Sequence, residues 1–210
     1  IYSFSTNKKK SKNSDIKLNY IKKYGKKYKV FISIGNKKKF FYVAYNFENY
    51  IQNLMAALVV INIYQNIFDL DKNIFYNTKV PNGRGDISKI KINKKSIYLV
   101  DESYNSNPMS IASALKNFDS LKIKKGKKHI ILGDMLELGK YSKKLHFQLS
   151  NIINTTSVDK INVFGKYIKD TYKNISSKKK GLILKDTSEI INLIKNDLNN
   201  NDYLMIKGSN

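Results

Sequence analysis

The fold class of this chain is most evident in residues 97–108, Ile97-Tyr98-Leu99-Val100-Asp101-Glu102-Ser103-Tyr104-Asn105-Ser106-Asn107-Pro108. The first four residues of this stretch form a compact apolar run, which is typical of a buried strand. Asn107 and Pro108 predict that a helix follows, over residues 108–121, because Asn is a favoured N-cap residue and Pro fits the first helical position. A strand that leads through a polar loop into a helix is the repeating unit of a parallel sheet with crossover helices.

The same alternation continues to the end of the chain. Further strands are predicted at residues 129–132, 160–164, 181–184 and 203–206, and helices at residues 145–153, 167–175 and after Asp186. This order predicts an α/β fold with a doubly wound, mostly parallel sheet. Ligands of such sheets bind beyond the carboxyl ends of the strands. The polar clusters lie there, at residues 101–107, 133–134, 165 and 207–210.

The first eighty residues follow a different pattern. Residues 28–34 and 39–45 are two strand-like runs on either side of Gly35-Asn36, which predicts a β-hairpin. A helix is predicted from about residue 50 to 68, and residues 66–81 are predicted to be loop with a short helix. The turn-rich Pro81-Asn82-Gly83-Arg84-Gly85 predicts a boundary between two domains, residues 1–80 and 81–210.

Composition excludes several classes of site. The chain has no cysteine, which excludes disulfides, thiolate metal sites and a cysteine nucleophile. It has no run of 18 apolar residues, so no membrane span is predicted. The start lacks the features of a signal peptide, and we expect a cytoplasmic protein. No group of His, Asp and Glu has the spacing of a metal site, so we predict no metal ligands in this chain.

The net charge of +23 allows two interpretations. A basic nucleic-acid-binding α/β module is one, because a strong positive charge favours polyanions. Codon usage is the other, since Lys, Asn, Ile and Tyr are abundant together and Arg84 is the only arginine. Nucleic-acid readers usually carry arginine for bidentate contacts. We therefore favour codon usage and keep the nucleic-acid module as an alternative.

Three segments of the second domain, in this order and spacing, resemble the signatures of the Mur ligase family of ATP-dependent amide-forming enzymes. They are residues 99–108, Ile131-Leu132-Gly133-Asp134-Met135-Leu136-Glu137-Leu138-Gly139, and Ile206-Lys207-Gly208-Ser209-Asn210. Upstream, Tyr2-Ser3-Phe4-Ser5 and residues 49–57 resemble the end of the family's central domain. The resemblance implies that residues 1–80 are the β/α tail of a central P-loop ATPase domain. It also implies that residues 81–210 form a C-terminal Rossmann-like domain.

The resemblance implies an activity as well. It is greatest for the family members that add D-alanyl-D-alanine to UDP-N-acetylmuramoyl-tripeptide in peptidoglycan precursor synthesis. Such enzymes phosphorylate a carboxylate with ATP, and an amine then attacks the acyl phosphate. We expect ATP and Mg²⁺ as cofactors, with the phosphate loop and most Mg²⁺ ligands upstream of residue 1. The chain is thus expected to be a fragment, inactive alone and monomeric, without a nucleic-acid partner. Another Mur-type ligase, with a different amino-acid substrate, is the alternative.

Individual residues receive roles from the same resemblance. ATP binding is implied for Asn53, Arg84, Asp101 and Glu102, of which the last three are also expected to be catalytic. Substrate binding is implied for Ser103, Tyr104, Asn105, Asn107, Lys207 and Ser209. Asn53 corresponds to a residue beside the adenine, and Arg84 to an arginine at the domain boundary that contacts the nucleotide.

Structural interpretations remain open for some of these residues. Asp101 is placed to cap backbone amides at a strand end, and Asn107 to cap the following helix. Residues 133–139 do not fit a phosphate loop, because five residues separate the glycines and Tyr141 follows Lys140. We interpret that segment as an architectural turn, and we expect a packing or hydrogen-bonding role for His146.

Overall fold

The computed structural model of the chain describes residues 2–6, 14–25, 27–44, 50–78 and 82–209. It divides into two compact units, Ile1–Val80 and Pro81–Asn210. Several residues of the ranges given above lie outside the described residues, namely 45, 49, 79–81 and 210.

The first unit is a four-stranded sheet with one helix. The strands lie in the order β1-β2-β3-β4, and β1 is parallel to β2 while the other pairs are antiparallel. The bounds are Phe4–Ser5 (β1), Ile16–Tyr24 (β2), Lys27–Ile34 (β3), Lys37–Ala44 (β4) and Ile51–Tyr64 (α1). Gly35 has a φ of +54° in the β3–β4 turn, a conformation that glycine adopts without strain. The predicted hairpin is confirmed.

The end of the first unit differs from the prediction. Helix α1 ends at Tyr64, because Gln65 is already extended. The short helix expected after residue 66 is wrong for residues 66–78, which form successive turns. Side chains compete with helical hydrogen bonds there, since Asn66 Oδ1 accepts from Phe68 N and Asp71 Oδ1 accepts from Asn73 N.

The second unit contains a six-stranded sheet of order β5-β6-β10-β7-β8-β9. Only the edge pair β5–β6 is antiparallel, and the other neighbours are parallel. The strands are Asp86–Ile92 (β5), Lys95–Asp101 (β6), Lys128–Gly133 (β7), Lys160–Phe164 (β8), Lys180–Leu184 (β9) and Tyr203–Lys207 (β10). This topology confirms the predicted α/β class with a mostly parallel sheet.

Helices cover both faces of this sheet. They are Pro108–Ser120 (α2), Ser142–Thr155 (α3), Ile168–Asn174 (α4) and Thr187–Asn192 (α5), which continues as one π-turn over Leu193–Asp197. Side chains alternate along a strand, so Ile130 packs in the core beneath α2, α3 and α4, whereas Ile131 packs beneath α5 and the π-turn. The sheet is therefore doubly wound, as predicted.

The position of β10 determines where the polar loops lie. Although last in sequence, β10 pairs with β6 on one side and β7 on the other. The carboxyl ends of these three parallel strands are therefore adjacent. The loops that follow them meet at the side of the sheet where the parallel strands end, which we call the carboxyl edge.

Candidate active site

A cleft of about 280 Å³ opens at this edge of the second unit. Its polar lining includes Ser103, Asp134, Lys207 and Ser209, and its apolar lining includes Ile131, Leu136, Phe164, Ile190 and Ile206. A second hollow beside it is lined by Tyr104, Asn105, Leu136, Glu137 and Ser209. The structure thus brings together Ser103, Tyr104, Asn105, Lys207 and Ser209, which the sequence placed on separate strands.

Asp101 and Glu102 at the end of β6 have different surroundings. Asp101 Oδ1 accepts hydrogen bonds from the backbone N (3.0 Å) and the Oγ (2.6 Å) of Ser103, which matches the capping interpretation. Glu102 is half-buried, and its Oε2 lies 3.6 Å from Lys207 Nζ. Burial raises the pKa of the Glu102 carboxyl, and the neighbouring ammonium offsets only part of that rise. Glu102 is therefore the more protein-bound of the two carboxylates.

Lys207, the last residue of β10, points into the protein. Its Nζ donates to the carbonyl oxygens of Asn105 (2.8 Å) and Glu102 (3.2 Å), and it forms an ion pair with the Glu102 carboxylate at 3.6 Å. Only 2% of its side chain is exposed. Burial lowers the pKa of the Lys207 ammonium, against the opposing effect of Glu102. This geometry gives no support to the predicted binding of a substrate carboxylate by Lys207.

Ser209 connects two other loops. Its backbone N donates to Asp134 O (3.0 Å), and its Oγ accepts from Leu136 N (3.0 Å) and donates to Ser106 O (3.2 Å). Gly208 beside it touches Gly133 so closely that a Cβ on either would lie 3.1 Å from the other's Cα. The ends of β10 and β7 can approach in this way only because both residues lack side chains.

Arg84 lies against the same loop. Its Cζ is 4.2 Å from the centre of the Tyr104 ring, a cation–π arrangement. The backbone on either side is paired with the loop, since Gly85 N donates to Asp101 O (2.7 Å) and Tyr104 N donates to Gly83 O (3.1 Å). Both Arg84 and Tyr104 are exposed, so the guanidinium is held in place at the surface.

The two remaining predicted residues lie elsewhere. Asn107 caps α2, because its Oδ1 accepts from Ser110 N (2.8 Å) while Ser110 Oγ accepts from Asn107 N (2.9 Å). The capping interpretation is confirmed. Asn53 is exposed on α1 of the first unit, and its contact with adenine stays a prediction.

The turn after β7 is architectural, as expected. Asp134 accepts from Lys166 N (2.9 Å) and Ile168 N (2.7 Å) and so caps α4. His146 is fully buried, and its Nε2 accepts from Met135 N (3.0 Å). Its Nδ1 therefore carries the proton and donates to Ser142 O (2.8 Å). The hydrogen-bonding role predicted for His146 is confirmed.

Sequence reasoning did not assign the apolar wall of the cleft, of which Phe164 is an example. Phe164 ends β8 and keeps 38% of its surface exposed beside Gly165. Its signal was positional, since a large apolar residue at the carboxyl end of a parallel strand faces the ligand-binding edge.

Within the described ranges, no group of three or more His, Cys, Asp or Glu residues could hold a metal ion. None of the helices described is both long and apolar enough to cross a membrane.

Curated relatives match all or most of the chain. UDP-N-acetylmuramoyl-tripeptide--D-alanyl-D-alanine ligase of Rickettsia prowazekii is 27% identical over 209 residues, covering 100% of this chain and 44% of the relative. The ligase of the same name from Haemophilus influenzae is 26% identical over 169 residues, covering 77% of this chain and 34% of that protein. The chain thus spans less than half the length of these relatives and corresponds to a C-terminal part of them.

Solved structures share the fold. MurF from Acinetobacter baumannii superposes with a TM-score of 0.73 at 21% identity, covering 99% of this chain and 44% of that one. MurF from Thermotoga maritima, solved in complex with ADP, gives 0.62 at 22% identity, covering 94% and 43%. The family model described as "Mur ligase, glutamate ligase domain" matches residues 88–210, which is most of the second unit and more than half of the chain. The chain belongs to the Mur ligase family.

Proposed function

We propose that this chain forms the C-terminal part of an ATP-dependent ligase that joins D-alanyl-D-alanine to UDP-N-acetylmuramoyl-tripeptide. The observation that carries the proposal is the convergence of the loops after β6, β7 and β10 on one cleft. The relatives that match the chain are named for this reaction. The ligase is proposed to be a monomer in the cytoplasm, where its nucleotide substrates are made.

The lining of the cleft suits a small dipeptide. Its apolar part, formed by residues such as Phe164 and Ile206, can cover the two methyl groups of D-alanyl-D-alanine. Ser103 brings a hydroxyl to the cleft and Asn105 brings an amide to the hollow beside it, and these groups can donate to and accept from a peptide unit. We therefore assign dipeptide binding to Ser103, Tyr104 and Asn105.

Arg84 is proposed to face the phosphoryl groups of ATP. A guanidinium binds phosphate oxygens through two parallel hydrogen bonds, and it stabilises the charge that develops during phosphoryl transfer. Its placement on Tyr104 limits the motion of the guanidinium before ATP arrives. Asn53 is assigned to the adenine, and Asp101 and Glu102 to the nucleotide side of the loop. Mg²⁺ is proposed to accompany ATP, as is usual in phosphoryl transfer.

The chain's own residues contribute positioning more than proton transfer. The amine of the dipeptide attacks an acyl phosphate on the tripeptide, and this step depends on alignment and on exclusion of water. The loop of residues 101–107 is fixed at both ends, by the Asp101 cap and by the Asn107 cap. A fixed loop can hold the amine in line with the activated carboxylate.

The test is a reconstituted reaction with the full-length protein that contains this chain. Purified protein is incubated with ATP, Mg²⁺, UDP-N-acetylmuramoyl-tripeptide and D-alanyl-D-alanine, and ADP release is followed together with the product mass. We expect ADP to form only when all substrates are present, and no turnover by residues 1–210 alone. Product formed with a single amino acid in place of the dipeptide, and none with the dipeptide, would contradict the proposal and favour another Mur-type ligase.

A further inference from the structure

We propose that Lys207 and Ser209 are positioning residues, which fasten the loop of residues 102–107 and the turn after β7 to the end of β10 and so shape the cleft without contacting the dipeptide. The inference rests on the proposed function, because it concerns the same cleft. It reverses the simplest reading of a lysine and a serine at a strand end, which is capture of the substrate's carboxylate.

Lys207 holds two points of the loop together, Glu102 and Asn105. An ammonium has three N–H donors, and Lys207 Nζ has three oxygen neighbours, the carbonyls of Glu102 and Asn105 and the Glu102 carboxylate. The two carbonyls belong to residues three apart, so one side chain fixes the turn between them. A substrate carboxylate would have to displace these acceptors from the ammonium, which would leave partly buried carbonyl groups without their hydrogen bonds.

Ser209 joins the same loop to a second one. Its hydroxyl donates to Ser106 O, in the loop after β6, and accepts from Leu136 N, in the turn after β7. Its backbone N adds a bond to Asp134 O in that turn. The loops are therefore joined through β10, although they lie about thirty residues apart in the sequence. Both residues act at the walls of the cleft, and the exposed side chains of Tyr104 and Asn105 remain for contact with a ligand.

A substrate lacking the carboxylate separates positioning from binding. The full-length ligase is assayed with D-alanyl-D-alanine and with its C-terminal amide, and the ratio of the two kcat/KM values is the discrimination factor. For Lys207→Met we expect kcat/KM to fall by about tenfold or more for both substrates, because the variant loses the hydrogen bonds from the ammonium to the Glu102 and Asn105 carbonyls. The discrimination factor should stay at its wild-type value. Collapse of the factor towards one, with the amide turned over as by wild type, would show that Lys207 binds the carboxylate and would overturn the inference.

The matched control is Lys128→Met. Lys128 is also a buried lysine in this sheet, and it donates to Asp119 O at the opposite edge. Its loss should lower the stability of the fold but leave kcat/KM for both substrates within about twofold of wild type, because it does not touch the cleft. An equal fall in kcat/KM for the two lysine variants would reduce the role of Lys207 to general stability, and the proposal would fail.

Backbone hydrogen exchange tests the inference without catalysis. In the 210-residue chain, peptides covering residues 101–107 should exchange about tenfold faster in Lys207→Met than in wild type, because the charged hydrogen bonds that hold the loop are lost. Ser209→Ala should speed exchange both there and at residues 134–137, and it removes too few atoms to prevent folding. Lys128→Met should leave residues 101–107 at the wild-type rate. Unchanged exchange in both cleft variants would overturn the positioning role.

The two measurements distinguish the inference from the function on which it rests. If the wild-type ligase uses neither D-alanyl-D-alanine nor its amide, the proposed function fails. Faster exchange in Lys207→Met would still support the positioning of the loop by Lys207. If the ligase is active and the loop exchanges at the wild-type rate in both variants, the function stands and the positioning role is refuted.

Discussion

Charged residues have opposite roles at the carboxyl edge of the six-stranded sheet and at the amino edge, where the parallel strands begin. At the amino edge, lysines donate to carbonyl groups at the ends of helices. The pairs are Lys95 with Leu198 O, Lys128 with Asp119 O and Lys179 with Thr156 O. Crossover helices run against the strands, so their C-termini lie at this edge, where the helix dipole attracts cations. Part of the lysine surplus thus has a structural explanation.

At the carboxyl edge the helix N-termini are capped by Asn107, Asp134 and Asp186. Lys207 lies at this edge as well, although helix N-termini do not attract cations. Its partners are loop carbonyls and Glu102. Lysines at the amino edge therefore bind helix C-termini, whereas Lys207 binds the carbonyl groups of a loop. We expect changes at the amino edge to alter stability and changes at the carboxyl edge to alter catalysis.

The largest effect is expected from Arg84→Ala at the carboxyl edge. In the full-length ligase, kcat/KM should fall by about a hundredfold, as when a preorganised charge-stabilising group is lost. The free energy of unfolding should change by less than about 1 kcal/mol, because Arg84 is exposed and its contact with Tyr104 lies at the surface. Steady-state kinetics and urea denaturation provide the two measurements. Lys89→Ala is the control, since Lys89 is an exposed cation on neighbouring β5. Wild-type turnover by Arg84→Ala would refute the role of Arg84.

A glycine at the amino edge should be the most sensitive position for stability. Gly126 has a φ of +87°, and a Cβ there would lie 2.1 Å from Asn201 O. Gly126→Ala should cost about 3 kcal/mol, because the backbone must move as well as adopt a strained conformation. Gly139→Ala, at a φ of +51° in open space near the other edge, should cost only about 1 kcal/mol. Equal losses in urea denaturation would show that the clash at Gly126 is relieved without cost.

Substitution of Asn107 tests whether this residue only caps α2 or also contacts the substrate. Asn107→Ala should lower the free energy of unfolding by about 1 kcal/mol, and Asn107→Asp should retain it, since Asp is an equally good N-cap. We expect the Asp variant to keep wild-type kcat/KM. If it folds normally but ligates poorly, the amide contacts substrate after all.

The smallest effect concerns pH at the amino edge. Burial lowers the pKa of His129 below its ordinary 6.5, against the opposing charge of Asp202, whose Oδ2 lies 3.3 Å from Nε2. As pH falls through 6.5 the unfolded chain binds a proton that the folded chain does not, so stability falls. Denaturation midpoints measured at about pH 7.5 and 5.5, on either side of the histidine titration, should differ less in His129→Asn than in wild type. An unchanged difference would exclude His129 as its source.

Much of the second unit could be predicted because its strands are buried on both faces. Apolar runs such as residues 129–132 and 203–206 stand out in a lysine-rich sequence, and the observed strands extend them by one or two residues. The edge strand β5 was missed. Ile87 in β5 is half exposed, and only one neighbour pairs with the strand, so its sequence carries little sign of a core.

The site was predicted as a group of residues but not as a geometry. Motifs placed Lys207 and Asn105 at strand ends, and the strand order joined them. The direction of the Lys207 side chain depends on the carbonyls of Glu102 and Asn105, which are set by the pairing of Ile206 with Asp101. Such three-dimensional register is not encoded in local spacing.

The central place of β10 has a consequence for biosynthesis. Until residues 203–207 have left the ribosome, β6 and β7 have no strand between them. The backbone groups that will pair with β10 are then free to pair with other chains. This domain can therefore complete its sheet only after Lys207 has been synthesised. A message truncated a few codons before Tyr203 would yield a product in which the sheet is split in two, a ready substrate for proteolysis.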